Sequence, residues 1–210
     1  MAATAADDGR SPTLPAVTPD ATARCWWPDG PDGADPLMVV YHDTEWGTPV
    51  SEDVELFERL VLEGFQAGLS WATILRKREA FRAGFEGFDP ARVAGYGDSD
   101  RARLLADAGI VRNRAKIDAT IGNAAAFLAV VAEYGSFAAY LANRLPRSAP
   151  VLAPNSTFAD VPPTTAESEA LSKDLLRRGF RFVGPTIVYA FMQSVGLVDD
   201  HVPGCFRYRG

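Results

Sequence analysis

The chain holds only two cysteines and two histidines, and all four stand toward its ends: Cys25 and His42 near the start, His201 and Cys205 near the finish. Thiolates and imidazoles are the ligands zinc takes in closed tetrahedral sites, and the His201-x3-Cys205 spacing lets both side chains face one ion. A Cys2His2 set leaves no position for water, so such an ion would be structural, clamping the N-terminal segment onto the C-terminal one and adding its binding energy to folding. Two other readings stand beside this: inert buried thiols with ordinary polar histidines, or a Cys25–Cys205 disulfide, which a reducing compartment disfavours.

Around these ligands lie Trp26, Trp27, Tyr41 and Trp46, with Trp71 one helix later, so that all four tryptophans fall early in the chain. Aromatic side chains most often fill cores, yet so dense a cluster beside a polar metal site also suits stacking on a flat, cationic or electron-poor ring. Glu63 follows Leu60 by three residues and Leu56 by seven, which puts it on the apolar side of its helix and predicts partial burial. A buried carboxylate is costly unless paired; it calls for an internal hydrogen-bond network or for a ligand that donates to it.

Positioning these residues falls to helices. From Ser51, as N-cap, the run Val54, Leu56, Phe57, Leu60, Val61 repeats with helical period, and Glu52 and Asp53 suit the first-turn dipole; this helix is predicted to end between Gly64 and Gly68. A second starts near Ser70 and carries Trp71, Ile74 and Leu75, followed by a loop from Gly84 to Pro90. A short helix between Asp98 and Gly109 meets a longer one from Asn113 across a tight turn, the latter with Ile117, Ile121, Ala124 and Leu128 as its apolar stripe. Ser136 caps a helix with Phe137, Tyr140 and Leu141, and the proline-rich stretch from Leu145 to Thr165 reads as a loop. Leu171, Leu175 and Leu176 mark a helix stopped by Gly179, and Pro185 opens one running to Gly196. Strand patterns are scarce, so the fold class is all-α.

At 210 residues, 47% hydrophobic and 23% charged, the chain has the size and composition of one globular domain or two small lobes. No apolar run approaches the roughly 18 residues of a membrane helix. Residues 1–23 are rich in Ala, Thr, Pro and Asp and read as a disordered N-terminal tail; they lack the basic start and apolar segment of a signal peptide, which predicts a cytoplasmic protein. The formal net charge of −6 argues mildly against a nucleic-acid partner. Three stretches are nonetheless basic: Arg76, Lys77, Arg78 and Arg82; Arg101, Arg103, Arg112, Arg114 and Lys116; and Lys173, Arg177, Arg178 and Arg181. Each is either a solvated helix face or part of a phosphate-binding surface.

Several stretches together resemble the 3-methyladenine DNA glycosylase I family of the helix-hairpin-helix superfamily: Arg24-Cys25-Trp26-Trp27, Tyr41-His42-Asp43-Thr44-Glu45-Trp46-Gly47, Leu62 through Trp71, Asp107-Ala108-Gly109-Ile110-Val111-Arg112, and Phe182-Val183-Gly184 with Asp200-His201. The likeness covers nearly everything from Arg24 to Cys205. It implies a glycosylase domain over residues 24–210, with a helix-hairpin-helix around 100–128 and a terminal lobe binding a structural zinc ion through Cys25, His42, His201 and Cys205. It further implies that Glu63 is the catalytic and base-reading carboxyl, that Trp71 and Trp27 stack on the flipped base, and that Tyr41 lines the pocket. Gly68 and Leu69 would probe the gap left in the duplex, while Gly109, Arg112, Arg114 and Lys116 would meet a DNA phosphate at the hairpin. Phe65 stands where familiar members carry a polar residue, and Met38 where they carry a pocket-side aromatic.

The implied reaction is hydrolytic excision of 3-methyladenine from alkylated double-stranded DNA by a monomeric, monofunctional enzyme, leaving an abasic site. Methylation at N3 makes the base cationic and weakens its bond to the sugar, so aromatic rings and one carboxyl suffice to hold it. The rival from another class is a non-catalytic, zinc-stapled module that binds distorted duplex, which has no need of a carboxyl inside an aromatic pocket. A zinc hydrolase is disfavoured by the saturated ligand set.

Overall fold

The computed structural model describes residues 23–28, 35–146 and 150–210, so the expected tail lies outside the described residues save for Ala23. Nine α-helices account for most of what is described: α1 (Pro36–Thr44), α2 (Asp53–Gln66), α3 (Trp71–Gly84), α4 (Pro90–Ala94), α5 (Asp98–Ala106), α6 (Arg114–Tyr134), α7 (Phe137–Arg144), α8 (Ala166–Arg177) and α9 (Pro185–Ser194). No strand occurs among the described residues, only an isolated bridge between Val151 and Asp199. The all-helical expectation holds.

Local chemistry sets most helix starts. Ser70, Asn113, Ser136 and Thr165 each accept a backbone N–H of the first turn they precede, and Pro185 opens α9 at a position with no N–H to lose. The start of α2 falls slightly later than expected, with Glu52 as N-cap; Asp53 accepts the N–H of Phe137 (2.8 Å) and thereby ties the start of α7 to α2. The loop predicted from Gly84 to Pro90 contains a 3-10 turn, Glu86–Phe88, and that from Leu145 to Thr165 contains another, Phe158–Asp160.

Helix α2 is the hub, packing against α3, α6, α7 and α9. Its Leu56, Phe57, Leu60 and Leu62 are almost wholly buried, and rings from neighbouring helices close around them, with Phe57 edge-on to Phe127 at 5.2 Å. Helix α6, 21 residues long, is long and apolar enough to cross a membrane by composition, contrary to the expectation from apolar runs, but it is a core helix that also packs against α4, α5 and α7. Its buried face includes Ile117, Ile121 and Ala124 as expected, but Leu128 lies 36% exposed and Phe127 takes the inward place, stacked on Phe137 at 4.3 Å. The inward face turns out wider than its apolar residues show because Thr120 and Asn123 belong to it, their polar atoms satisfied by the Lys116 carbonyl and by the backbone of Arg181.

Lys116 departs from its expected place at a DNA surface. It is buried, and its Nζ donates to the carbonyls of Phe65 (2.8 Å) and Ala67 (2.7 Å), the orphan acceptors at the end of α2. One ammonium therefore fastens the start of α6 to the end of the hub helix. Lys116→Met should leave both carbonyls without a donor and lower stability by about 1–3 kcal/mol, read as a fall in Tm; unchanged stability with weakened DNA binding would return Lys116 to the surface role.

Candidate functional site

A cavity of about 330 Å3 opens between α1, α2, the start of α3, α9 and the C-terminal segment, with Trp27, Tyr41, Trp46, Glu63 and Trp71 in its wall. The Asp35 cap and Pro36 start α1, which delivers Tyr41 into this wall and its neighbour His42 to an adjoining cluster, because successive residues on a helix point about 100° apart. The Ser70 cap fixes Trp71 at the first position of α3. Tyr41 and Trp71 have ring centroids 5.3 Å apart, Trp27 and Trp46 are edge-on at 5.2 Å, and Trp27 and Tyr41 are 6.3 Å apart. Met38 also lines the cavity, whereas Phe65 is buried in the core against Phe81. Trp26, part of the aromatic run in sequence, is 56% exposed and sits at the rim, edge-on to Phe158 at 4.5 Å.

Glu63 is 5% exposed and makes no side-chain hydrogen bond or ion pair with any described residue. Burial pushes its carboxyl up to about 8, against the opposing pull of Arg59 one helical turn before it. Of the two expectations for a buried glutamate, the internal network is therefore missing among the described residues, and the carboxyl faces a cavity. The indole Nε1 of Trp71 is likewise buried with no acceptor. An unpaired carboxyl thus faces an aromatic box, which can hold a flat ring by its faces and read polar atoms on its edge.

Sequence reasoning missed a second wall carboxylate, Asp200, whose Oδ2 accepts from the Tyr189 hydroxyl at 2.6 Å and from Gln193 Nε2 at 2.7 Å. It hides in sequence beside His201, where its neighbour's chemistry attracts the attention. Its oxygen is committed to holding the α9 side of the wall.

Next to the cavity, Cys25, His42 and Cys205 bring their ligand atoms within 4.8 Å of one another, all three buried, with Cys205 Sγ 3.5 Å from His42 Nε2. Both cysteines are free thiols, so the disulfide alternative is not realised. Burial pushes Cys25 up to about 12, with Cys205 adding to the effect. Burial lowers His42, Asp43 opposing, which favours the neutral imidazole that a metal ligand must be. His201 stands beside this trio, its ring 5.2 Å from that of His42. Each imidazole has Nδ1 2.7 Å from a carboxylate, Asp43 for His42 and Asp199 for His201, leaving Nε2 as the free ligand atom; that of His201 is buried with no partner. The donor set and the orphaned nitrogen fit a four-ligand metal site.

The remaining residues of interest lie outside the cavity. Gly68, at φ 82°, and Leu69, 41% exposed, form the turn from α2 to α3. The hairpin joins α5 to α6, but the N–H of Gly109 is accepted by Asp107 Oδ1 at 2.7 Å and is not free for a phosphate. Glycine is required there by close packing, since a Cβ would lie 2.8 Å from that of Ala80 on α3. Arg112 and Arg114 are exposed and enter no ion pair or side-chain hydrogen bond among the described residues, unlike most of the basic stretches. Arg78 and Arg82 hold Glu58, and Arg177 and Arg178 hold Asp174.

A family model described as methyladenine glycosylase matches residues 31–208. DNA-3-methyladenine glycosylase 1 of Escherichia coli is 48% identical over 187 residues, spanning 89% of this chain and 97% of that protein. A crystal structure of 3-methyladenine DNA glycosylase I superposes with a TM-score of 0.82 at 45% identity, covering 89% of this chain and 100% of that one. A structure on the basis of 3-methyladenine recognition by the Staphylococcus aureus glycosylase I gives 0.80 at 36% identity, over 84% and 93% of the two chains. The chain belongs to the methyladenine glycosylase family.

The raised Glu63 carboxyl has a consequence for stability. It is neutral in both folded and unfolded chains below about pH 4.5, and between there and about 8 only the unfolded chain ionises freely, so stability falls as pH rises through that window. Glu63→Gln removes the penalty. Its Tm should exceed that of the parent at pH 9, by an amount that shrinks toward zero at pH 4; a difference independent of pH would mean that the carboxyl is solvated.

Proposed function

We propose that this chain is a DNA repair glycosylase that excises 3-methyladenine from alkylated DNA, with the aromatic cavity as the pocket for the flipped base. The buried, unpartnered carboxyl of Glu63 inside a tryptophan-walled cavity carries this proposal, since a cationic purine supplies what both the rings and the carboxyl lack. Trp27 and Trp71 hold the ring by its faces and Tyr41 closes the wall, an arrangement favourable to positive charge. In either protonation state Glu63 accepts from the exocyclic amino group of adenine; while protonated it also donates to N7, a pattern a guanine edge does not match.

Methylation has already weakened the glycosidic bond, so the pocket needs only to hold the base as it departs while water attacks the sugar carbon. Lys116 is committed to carbonyls, and among the described residues no lysine lines the cavity. With no amine placed to form a covalent link to the sugar, excision is hydrolytic and the strand stays uncut. Gly68 and Leu69 enter the duplex at the vacated position, with Arg112 and Arg114 on the phosphates.

Cys25, His42, His201 and Cys205 are the residues that would hold a structural zinc ion, joining the N- and C-terminal segments of a single domain over residues 24–210. Bound there, the ion supplies folding energy and no reaction step. The alternative of a non-catalytic DNA-binding module gains nothing from the cavity.

Incubating the purified protein with alkylated duplex DNA should release 3-methyladenine and leave the backbone intact. Glu63→Gln or Trp71→Ala should slow release by about ten- to a hundredfold, the range of one lost hydrogen bond to a charged group; full rates in both variants would remove the pocket assignment. Cys205→Ala should lower both the zinc content by elemental analysis and Tm, and full metal occupancy at unaltered Tm would contradict the structural-zinc assignment.

A further inference from the structure

We infer that Phe182 is a second apolar wedge that stacks against the DNA duplex beside Leu69, with Arg181 on the adjoining phosphate. The inference rests on the reading of the substrate as duplex DNA.

Phe182 occupies the left-handed region at φ 54°, which a bulky side chain rarely adopts and which costs free energy unless something else requires it. Core packing accounts for it only in part, because the residue rests on α2 yet is 36% exposed, while Phe180 two residues before and Val183 directly after are each 1% exposed. The chain thus anchors itself twice and turns the intervening aromatic outward. This turn is held rigidly. The side-chain amide of buried Asn123 accepts from Arg181 N at 2.8 Å and donates to Arg181 O at 2.9 Å, and buried Ser172 donates to Val183 O at 2.7 Å.

The location is also informative. A Cβ added to Gly64 would lie 3.4 Å from both Phe182 Cβ and Phe182 O, so the turn rests on α2 at the residue after Glu63. Leu69 leaves the end of that same helix, 41% exposed, and Lys116 fixes the same helix end from α6. The two exposed apolar side chains therefore project from one rigid unit built around the end of α2. Charge complements them. Among the described residues every other arginine side chain holds a carboxylate or a carbonyl, whereas Arg112, Arg114 and Arg181 make no side-chain hydrogen bond or ion pair. An outward aromatic next to an uncommitted guanidinium matches a duplex opened at one nucleotide, where a ring can cover an exposed base face and the cation a phosphate.

Phe182→Gly removes the ring and relieves the left-handed strain, so the fold and its Tm should be kept; Phe182→Tyr retains the ring. Affinity for a duplex carrying an abasic site should fall about tenfold or more in Phe182→Gly, the scale of one lost base-stacking contact, and stay near the parent value in Phe182→Tyr. Binding of free 3-methyladenine, followed by tryptophan fluorescence, should be unchanged in both. Parent-like duplex affinity in Phe182→Gly would overturn the wedge, and so would an equal loss of free-base binding, which would make Phe182 a support of the pocket. Failure of the parent itself to release 3-methyladenine, with a ring-dependent duplex affinity intact, would count against the substrate reading alone.

Discussion

Keeping a carboxyl group out of water at Glu63 is the constraint on which the site depends. Nothing among the described residues donates to it, so the cost of desolvation is borne by the fold, and the hub helix that carries it must be held against relaxing outward. The contacts around α2 meet that need. Phe57, Leu60 and Leu62 sink into the core from different faces of the helix, the Lys116 ammonium secures its last carbonyls, and Arg59 tempers the field one turn before the carboxyl. Arg59 is itself restrained by Glu45 and Glu55, each at 2.8 Å, with its guanidinium 5.9 Å from the centre of the Tyr41 ring. A polar atom left unsatisfied in the free protein is in this sense stored binding capacity, released when a ligand arrives.

The thiol–imidazole cluster and the aromatic cavity form one body. Trp27 is edge-on to His42 at 5.3 Å and Trp46 to His201 at 4.6 Å, while Cys25 lies in the cavity wall itself. The tryptophans that face the cavity thus lean on the residues that would hold zinc. Gly47 shows how tight the junction is: its φ of 72° and the 2.7 Å that would separate an added Cβ from the His201 ring leave no room for any other residue. Disrupting this cluster would therefore loosen the pocket as well as the fold.

What could be read from sequence was what depends on near neighbours. Asn113, Ser136 and Pro185 mark helix starts because capping is decided within a few residues, and the grouping of Cys25, His42, His201 and Cys205 followed from their scarcity. Helix α1 has little periodic signal, since it is short and adjoins a stretch dense in Gly, Pro and Asp; the Asp35–Pro36 cap is its one local mark. The surroundings of Lys116 and Asp200 are not legible in sequence for another reason. A lysine near a hairpin looks like a phosphate ligand until a helix 49 residues earlier presents its carbonyls to it, and an aspartate beside a histidine has no visible role until α9 brings Tyr189 and Gln193 against it. Partners chosen by tertiary packing leave no periodic trace.

The net charge of −6 looks at odds with a DNA substrate only while every charge is counted alike. Most of the described arginines are already neutralised at home: Arg78 and Arg82 by Glu58, Arg101 by Asp118, and Arg178 by Glu133 and Asp174. Phosphates compete poorly for a guanidinium that must first abandon a carboxylate. The field a duplex meets is set by the cations left over, and Arg112, Arg114 and Arg181 stand on the segments that also bear the hairpin and the outward Phe182. Locally arranged surplus, rather than total charge, governs whether an acidic protein can take hold of a polyanion.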